Sequence, residues 1–127
     1  MVAGDEEVAR SIMSSSWVAK EKGRIKHNAY LPAPDDDTSV FRSTNFSAAA
    51  VRALMSDSRL TDHGAAIVVA DKIRASGLDA IASEPPPRHA NIRGWPRSAD
   101  PDEQKAKRKE AAIRIAEHAW HMAWPQT

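Results

Sequence analysis

A chain of 127 residues with 42% hydrophobic and 28% charged side chains holds enough apolar material for one domain core, which excludes a wholly disordered chain. The absence of cysteine excludes disulfides, thiolate nucleophiles and zinc sites built on thiolates. A net charge of +1 gives no global pull onto nucleic acid, so any such binding has to come from a local patch.

No run approaches the roughly 18 apolar residues of a membrane helix, so no membrane partner is expected. The opening MVAGDEEVAR carries acids where a secretory signal has its apolar core. A single cytoplasmic domain over residues 1–127 is expected, with 1–16 and 124–127 loosely ordered.

In chain order, DEEVARSIMS groups Val8, Ala9 and Ile12 on one side with acids in the first turn, which predicts a short helix over Asp5–Ser14. From Ile25 the residues alternate: Ile25, His27, Ala29 and Leu31 face one way, Arg24, Lys26, Asn28 and Tyr30 the other. That period predicts a strand. PAPDDD reads as a loop and TSVFRS, Thr38–Ser43, as a second strand, the two forming an antiparallel hairpin. Ser47 predicts an N-cap for a helix over the following alanines.

GAAIVVAD is apolar without alternation, the mark of a strand buried on both faces. Asp71 then caps one or two helical turns that stop at Gly77. LDAIAS is a further strand, Pro85–Pro87 an extended spacer and HANIRGW the last strand. Asp100, Pro101 and Glu103 occupy N-cap, N1 and N3 of a helix predicted to reach Met122. The expected architecture is α+β: a small mixed sheet of four to five short strands, helices on one face and a long C-terminal helix.

The residues that carry chemistry cluster in PPPRHANIRGWP. On a strand, His89 and Asn91 share one face and Arg88 takes the other. An imidazole titrates near neutral pH and serves as a general base, while Asn and Arg orient a carbonyl or an anion. The bland alternative is a half-buried His89 bonded to backbone. Trp95, held extended before Pro96, either lids the core or offers a stacking platform. His27, on an apolar face, is either a satisfied core residue or a partner of His89 and Arg42 in a phosphoester pocket.

Lys20, Lys22, Arg24 and Lys26 recur every second residue, with Tyr30 further along the same face. Such a stripe tracks a phosphate backbone or protects an edge strand from pairing. The basic run Lys105, Lys107, Arg108 and Lys109 reads as a solvated helix face or a patch for an acidic partner. His118 and His121 lack a third ligand, and Asp35–Asp37 lacks the spacing of a calcium loop, so no metal site is expected. No phosphate-cradling glycine loop or hydrolase motif occurs, and no cofactor is expected.

GRIKHNAYLP, SVFR and RHANIRGWP, in this order between Gly23 and Pro96, resemble the core of a family of small uncharacterised bacterial proteins. The resemblance implies a bacterial, cytoplasmic origin and attaches no activity, cofactor or site.

Two readings of function follow. The first is a non-catalytic binding or accessory protein that docks a protein or nucleic acid on a basic and aromatic surface of Lys20, Lys22, Arg24, Lys26 and Tyr30, with edge-strand homodimerisation open to it. The alternative is a small enzyme or nucleotide-binding protein acting on a phosphate-containing ligand. There His89, with His27, supplies acid–base chemistry, Arg42, Arg88 and Asn91 hold the anion, and Trp95 or Tyr30 stacks a base. It requires His27, Arg42 and His89 within about 10 Å of each other.

Overall fold

A computed structural model describes residues 2–19, 23–55 and 63–125. The strands are β1 (Glu7–Ser11), β2 (Thr38–Arg42), β3 (Ala65–Val69), β4 (Asp79–Ala82), β5 (His89–Arg93) and β6 (Trp120–Met122). The helices are α1 (Ala48–Leu54), α2 (Ala70–Ala75) and α3 (Pro101–Glu117). All six strands form one sheet in the order β4-β5-β2-β1-β3-β6, antiparallel at every pairing. The expectation of four to five strands in a mixed sheet is therefore corrected to six in an antiparallel one.

β3 behaves as its composition demands. Ala66 and Val68 enter one hydrophobic cluster, and Ala65 and Ile67 enter the other on the opposite face. The first face also carries Val8, Val40, Ala80, Ala90 and Ile92, and is covered by Ile73 of α2 and by Ala111, Ala112 and Ile115 of α3. The second face carries Ala9 and Phe41 under Val51 and Met55 of the α1 segment. Helices thus lie on both faces, not on one as expected.

The segment expected to be a helix at a loosely ordered end is β1, pinned between β2 and β3 by ladders on both sides. Val8 and Ala9 are both fully buried, one in each core. A strand buried on both sides shows no alternation, and the i, i+4 pair of Val8 and Ile12 imitates a helix stripe.

The strand expected from Ile25 to Leu31 is also absent. Ile25 makes one isolated bridge to Val18, after which His27–Ala29 forms a 3₁₀ turn. The physical reason is Arg10, which donates from Nε to the Ala29 carbonyl and from Nη1 to the Ser39 carbonyl, both at 3.0 Å. Carbonyl satisfaction comes from a side chain, so no neighbouring strand is needed. Thr38 Oγ1 secures the next residue by donating to the Tyr30 carbonyl at 2.9 Å. The expected hairpin partner, β2, pairs instead with β1 and β5.

Both helix caps form as expected: Ser47 Oγ accepts from Ala50 N–H and Asp100 accepts from Asp102 N–H, with Pro101 in the first turn. The short α2 begins at Ala70, before Asp71, and Gly77 follows its end at φ +87°. α3 stops at Glu117, short of the expected Met122, because residues 120–122 pair with β3 as an edge strand. The PAPDDD loop is tied down by charge. Asp37 receives a two-pronged bond from Arg93, and Asp36 accepts from Arg97 and from Arg108 of α3. No helix among the described residues is long and apolar enough to cross a membrane.

Candidate functional site

Three places collect the residues singled out from sequence. The first is a cleft of about 500 Å³ between the His27 turn and the outer flank of α3. Ile25, Ile113, Ala116 and Ala119 give it apolar walls, and Arg24, Lys26, His27 and Glu117 its polar ones. Lys20 and Lys22 lie outside the described residues, so the basic stripe is represented by Arg24 and Lys26. Both are exposed, and neither forms an ion pair with a described residue. Burial, reinforced by the positive charge of Lys109, lowers the pKa of His27 and favours its neutral form.

The second place is the end of the sheet where β2 meets the turn before β5. Arg42 grips Glu6 through Nε–Oε1 at 2.8 Å and Nη2–Oε2 at 3.0 Å. That charge-assisted bonding holds the Glu6 carboxyl below its usual range despite some desolvation. Arg88 sits at φ +67°, donates from Nε to the Arg42 carbonyl at 3.2 Å and lies 5.2 Å from the Phe46 ring centroid. The two arginines meet, but Arg42 is already neutralised by Glu6 and Arg88 is occupied by a carbonyl and a ring.

The third place is the second face of the sheet, at the border of the α1 cluster. Register sets Ser39 opposite Asn91 and Phe41 opposite His89, with Ile81 opposite Asn91 on the far side. Directly opposed residues share a face, so Ser39, His89, Asn91 and Ile81 project together. His89 Nε2 lies 2.6 Å from Ser39 Oγ, His89 Nδ1 lies 3.0 Å from the Ser83 carbonyl, and the ring meets Phe41 edge-on at 5.4 Å. Ser39 is exposed and His89 half-buried. Asn91 is 7% exposed, and its side-chain amide makes no hydrogen bond to a described residue.

His27 and His89 do not converge. His27 faces α3 on the first side of the sheet, whereas His89 lies beside Phe41 on the second. The aromatic candidates are not surface platforms either. Trp95 is 4% exposed and donates from Nε1 to the Ile92 carbonyl at 3.2 Å, lidding the core. Tyr30 is fully buried, and its hydroxyl is the one sealed side-chain polar atom without a partner among the described residues; burial raises its pKa.

Sequence reasoning passed over Ser39, Ser83 and Ile113, and weighed Glu117 only beside His118 and His121. Ser39 sits two residues before Phe41, so the period of β2 puts both on one face, yet only the register brings His89 to it. Ile113 and Glu117 lie four apart on α3, a spacing that predicts their shared flank but not what faces it. Among the described residues no group of three His, Asp or Glu side chains is placed to hold a metal. No protein-family model, curated protein or solved structure matches this chain.

Proposed function

We propose that this chain is a docking protein that receives an acidic segment of another protein in the cleft beside α3. The observation that carries this reading is the combination of cations that pair with no described residue and an apolar floor: Arg24 and Lys26 rim a hollow walled by Ile25, Ile113 and Ala116. Carboxylates of the incoming segment exchange water for charge-assisted bonds at the rim, and an apolar side chain fills the hollow. Glu117 on the same wall sets a limit, because it repels a continuous polyanion while leaving room for acids placed to either side.

Nucleic acid has weaker support as the partner. Burial of Tyr30 and Trp95 leaves no stacking platform at these positions, and two rim cations neutralise few phosphates. The phosphate-ligand alternative also loses support, since His27 and His89 occupy opposite faces and Arg42 is spent on Glu6.

Fluorescence anisotropy tests the reading with a labelled peptide of glutamates around one leucine and, in parallel, a labelled oligothymidylate. The peptide is expected to bind, to weaken with added salt, and to lose about tenfold or more in affinity in the double variant Arg24→Glu, Lys26→Glu, equivalent to about 1.4 kcal/mol. Binding of the oligonucleotide alone, or peptide binding indifferent to the double variant, sinks it.

A further inference from the structure

We propose that Ser39, His89 and Asn91 form an acyl-transfer site that hydrolyses small carboxylic esters, on the face of the sheet away from the α3 cleft and independent of docking there.

The Ser83 oxygen is a carbonyl and can only accept, so the 3.0 Å contact places a proton on His89 Nδ1. In a neutral imidazole the other nitrogen then carries the lone pair, and at 2.6 Å it accepts from the Ser39 hydroxyl. A serine hydroxyl aimed at a lone pair, on a ring whose second nitrogen is fixed by an acceptor, is the arrangement that activates a serine nucleophile. Ser83 is the positioning group, and it acts through its backbone.

Asn91 is the second, independent observation. It is nine-tenths buried, and its amide bonds to no described residue, which leaves it available to an incoming ligand. Its atoms are not sealed, since the Tyr30 hydroxyl alone is both sealed and unsatisfied among the described residues. Because Asn91 is directly opposite Ser39, their Cβ atoms are about 4.5–5.5 Å apart. From there the amide N–H reaches an oxygen borne on the carbon that Ser39 attacks, the place of an oxyanion donor. Ile81, 41% exposed and across from Asn91, offers an apolar rest for a short acyl chain.

The chemistry closes with water as the only co-reactant. Ser39 Oγ bonds to the ester carbonyl carbon, its proton passes to His89 Nε2, and the π electrons move onto the carbonyl oxygen, which Asn91 receives. The carbon–oxygen bond to the alcohol breaks, and the alcohol leaves with the proton from Nε2. Water then gives a proton to Nε2 and attacks the acyl-Ser39 carbon. The carboxylic acid departs, and the proton returns to Ser39.

The test uses the full chain with p-nitrophenyl acetate, following nitrophenolate release and mapping the acetylated residue by mass spectrometry. Acetylation at Ser39 is expected. It should be abolished in Ser39→Ala, lost in His89→Gln, and slowed about 10²-fold in Asn91→Ala, the scale of losing one oxyanion donor. Ser39 is exposed, so Ser39→Ala keeps its thermal unfolding midpoint and decides the matter even where His89→Gln loosens the sheet. Acetylation confined to lysines, or release undiminished in Ser39→Ala, overturns the proposal. Arg24→Glu, Lys26→Glu leaves Ser39 acetylation unchanged, which keeps this site separable from the docking cleft.

Discussion

The two faces of one sheet are built to different rules. On the first, Val8, Val40, Val68 and Ile92 are fully buried under α2, α3 and the His27 turn, and several polar groups near them are committed, although the sealed Tyr30 hydroxyl is not. Arg10 is bonded to two carbonyls there, and the Trp95 indole N–H to a third. On the second, α1 serves only the half with Ala9, Phe41, Ala65 and Ile67. The row Ile81, Asn91, Ser39 belongs to neither hydrophobic cluster and keeps an amide bonded to no described residue. The lesson is a division of labour: one face is spent on stability, while the far half of the other is left free to meet something else.

The sharpest way to break that contrast is to remove equal side chains from both faces. Ile92 and Ile81 lie on neighbouring strands, one fully buried and the other 41% exposed. Ile92→Ala should cost about 2–5 kcal/mol, the range for a buried isoleucine that leaves a cavity. Ile81→Ala should cost about 0.5 kcal/mol. Urea unfolding followed by circular dichroism measures both, and similar midpoint shifts would show the second face to be as closely packed as the first.

A smaller effect tests how the second face ends at β6. Gly64, just before β3, has φ +86°, and a Cβ there would stand 2.2 Å from the Met122 carbonyl oxygen. The left-handed backbone alone costs a non-glycine residue about 1–3 kcal/mol, and the clash falls on backbone that cannot swing aside. Gly64→Ala should therefore detach β6 before it unfolds the rest. Amide hydrogen exchange should show Trp120–Met122 losing protection while β2 and β5 keep theirs. Equal loss in all strands would mean that β6 is integral to the cooperative core.

How much of this was legible beforehand follows from where each signal is local. β3, the Ser47 and Asp100 caps and the β5 segment were readable because their cues lie within a few residues: an apolar run, a hydroxyl or carboxylate ahead of a helix, alternation bounded by proline and glycine. β1 and β6 were not, because each is defined by the strand it pairs with. Val8 and Ala9 face different cores, so β1 has no polar side to betray it. Trp120 continues the apolar stripe of α3 in sequence, yet it pairs with Ile67 on β3. The Ile25–Leu31 alternation was a coincidence that Arg10 overrides through the Ala29 carbonyl. The candidate site divides in the same way. His89 and Asn91 were legible as a same-face pair from period alone, whereas Ser39 needed the register between β2 and β5, and Ser83 acts only as backbone.

The finest test of the comparison is acid titration, because two of the groups with lowered pKa, His27 and Glu6, sit in different parts of the molecule and act in different windows. His27, on the first face, is held neutral by burial and by Lys109. The unfolded chain therefore takes up its proton first, and stability declines as pH falls below about 6.5, the ordinary imidazole value. Glu6, gripped by Arg42 at the sheet end, is held ionised. Its contribution is fully present above the ordinary carboxylate value of about 4.3 and is lost as pH drops through the lowered folded value. His27→Gln should flatten the upper limb of the stability curve and leave the lower one, and Glu6→Gln should make the lower limb, to which Asp79 and Glu103 also contribute, shallower while lowering stability at neutral pH and leaving the upper one. Chemical denaturation at closely spaced pH values resolves the two limbs. If His27→Gln left the upper limb unchanged, the imidazole would be open to water in the folded state, and the cleft beside α3 would be wider and wetter than its apolar walls imply.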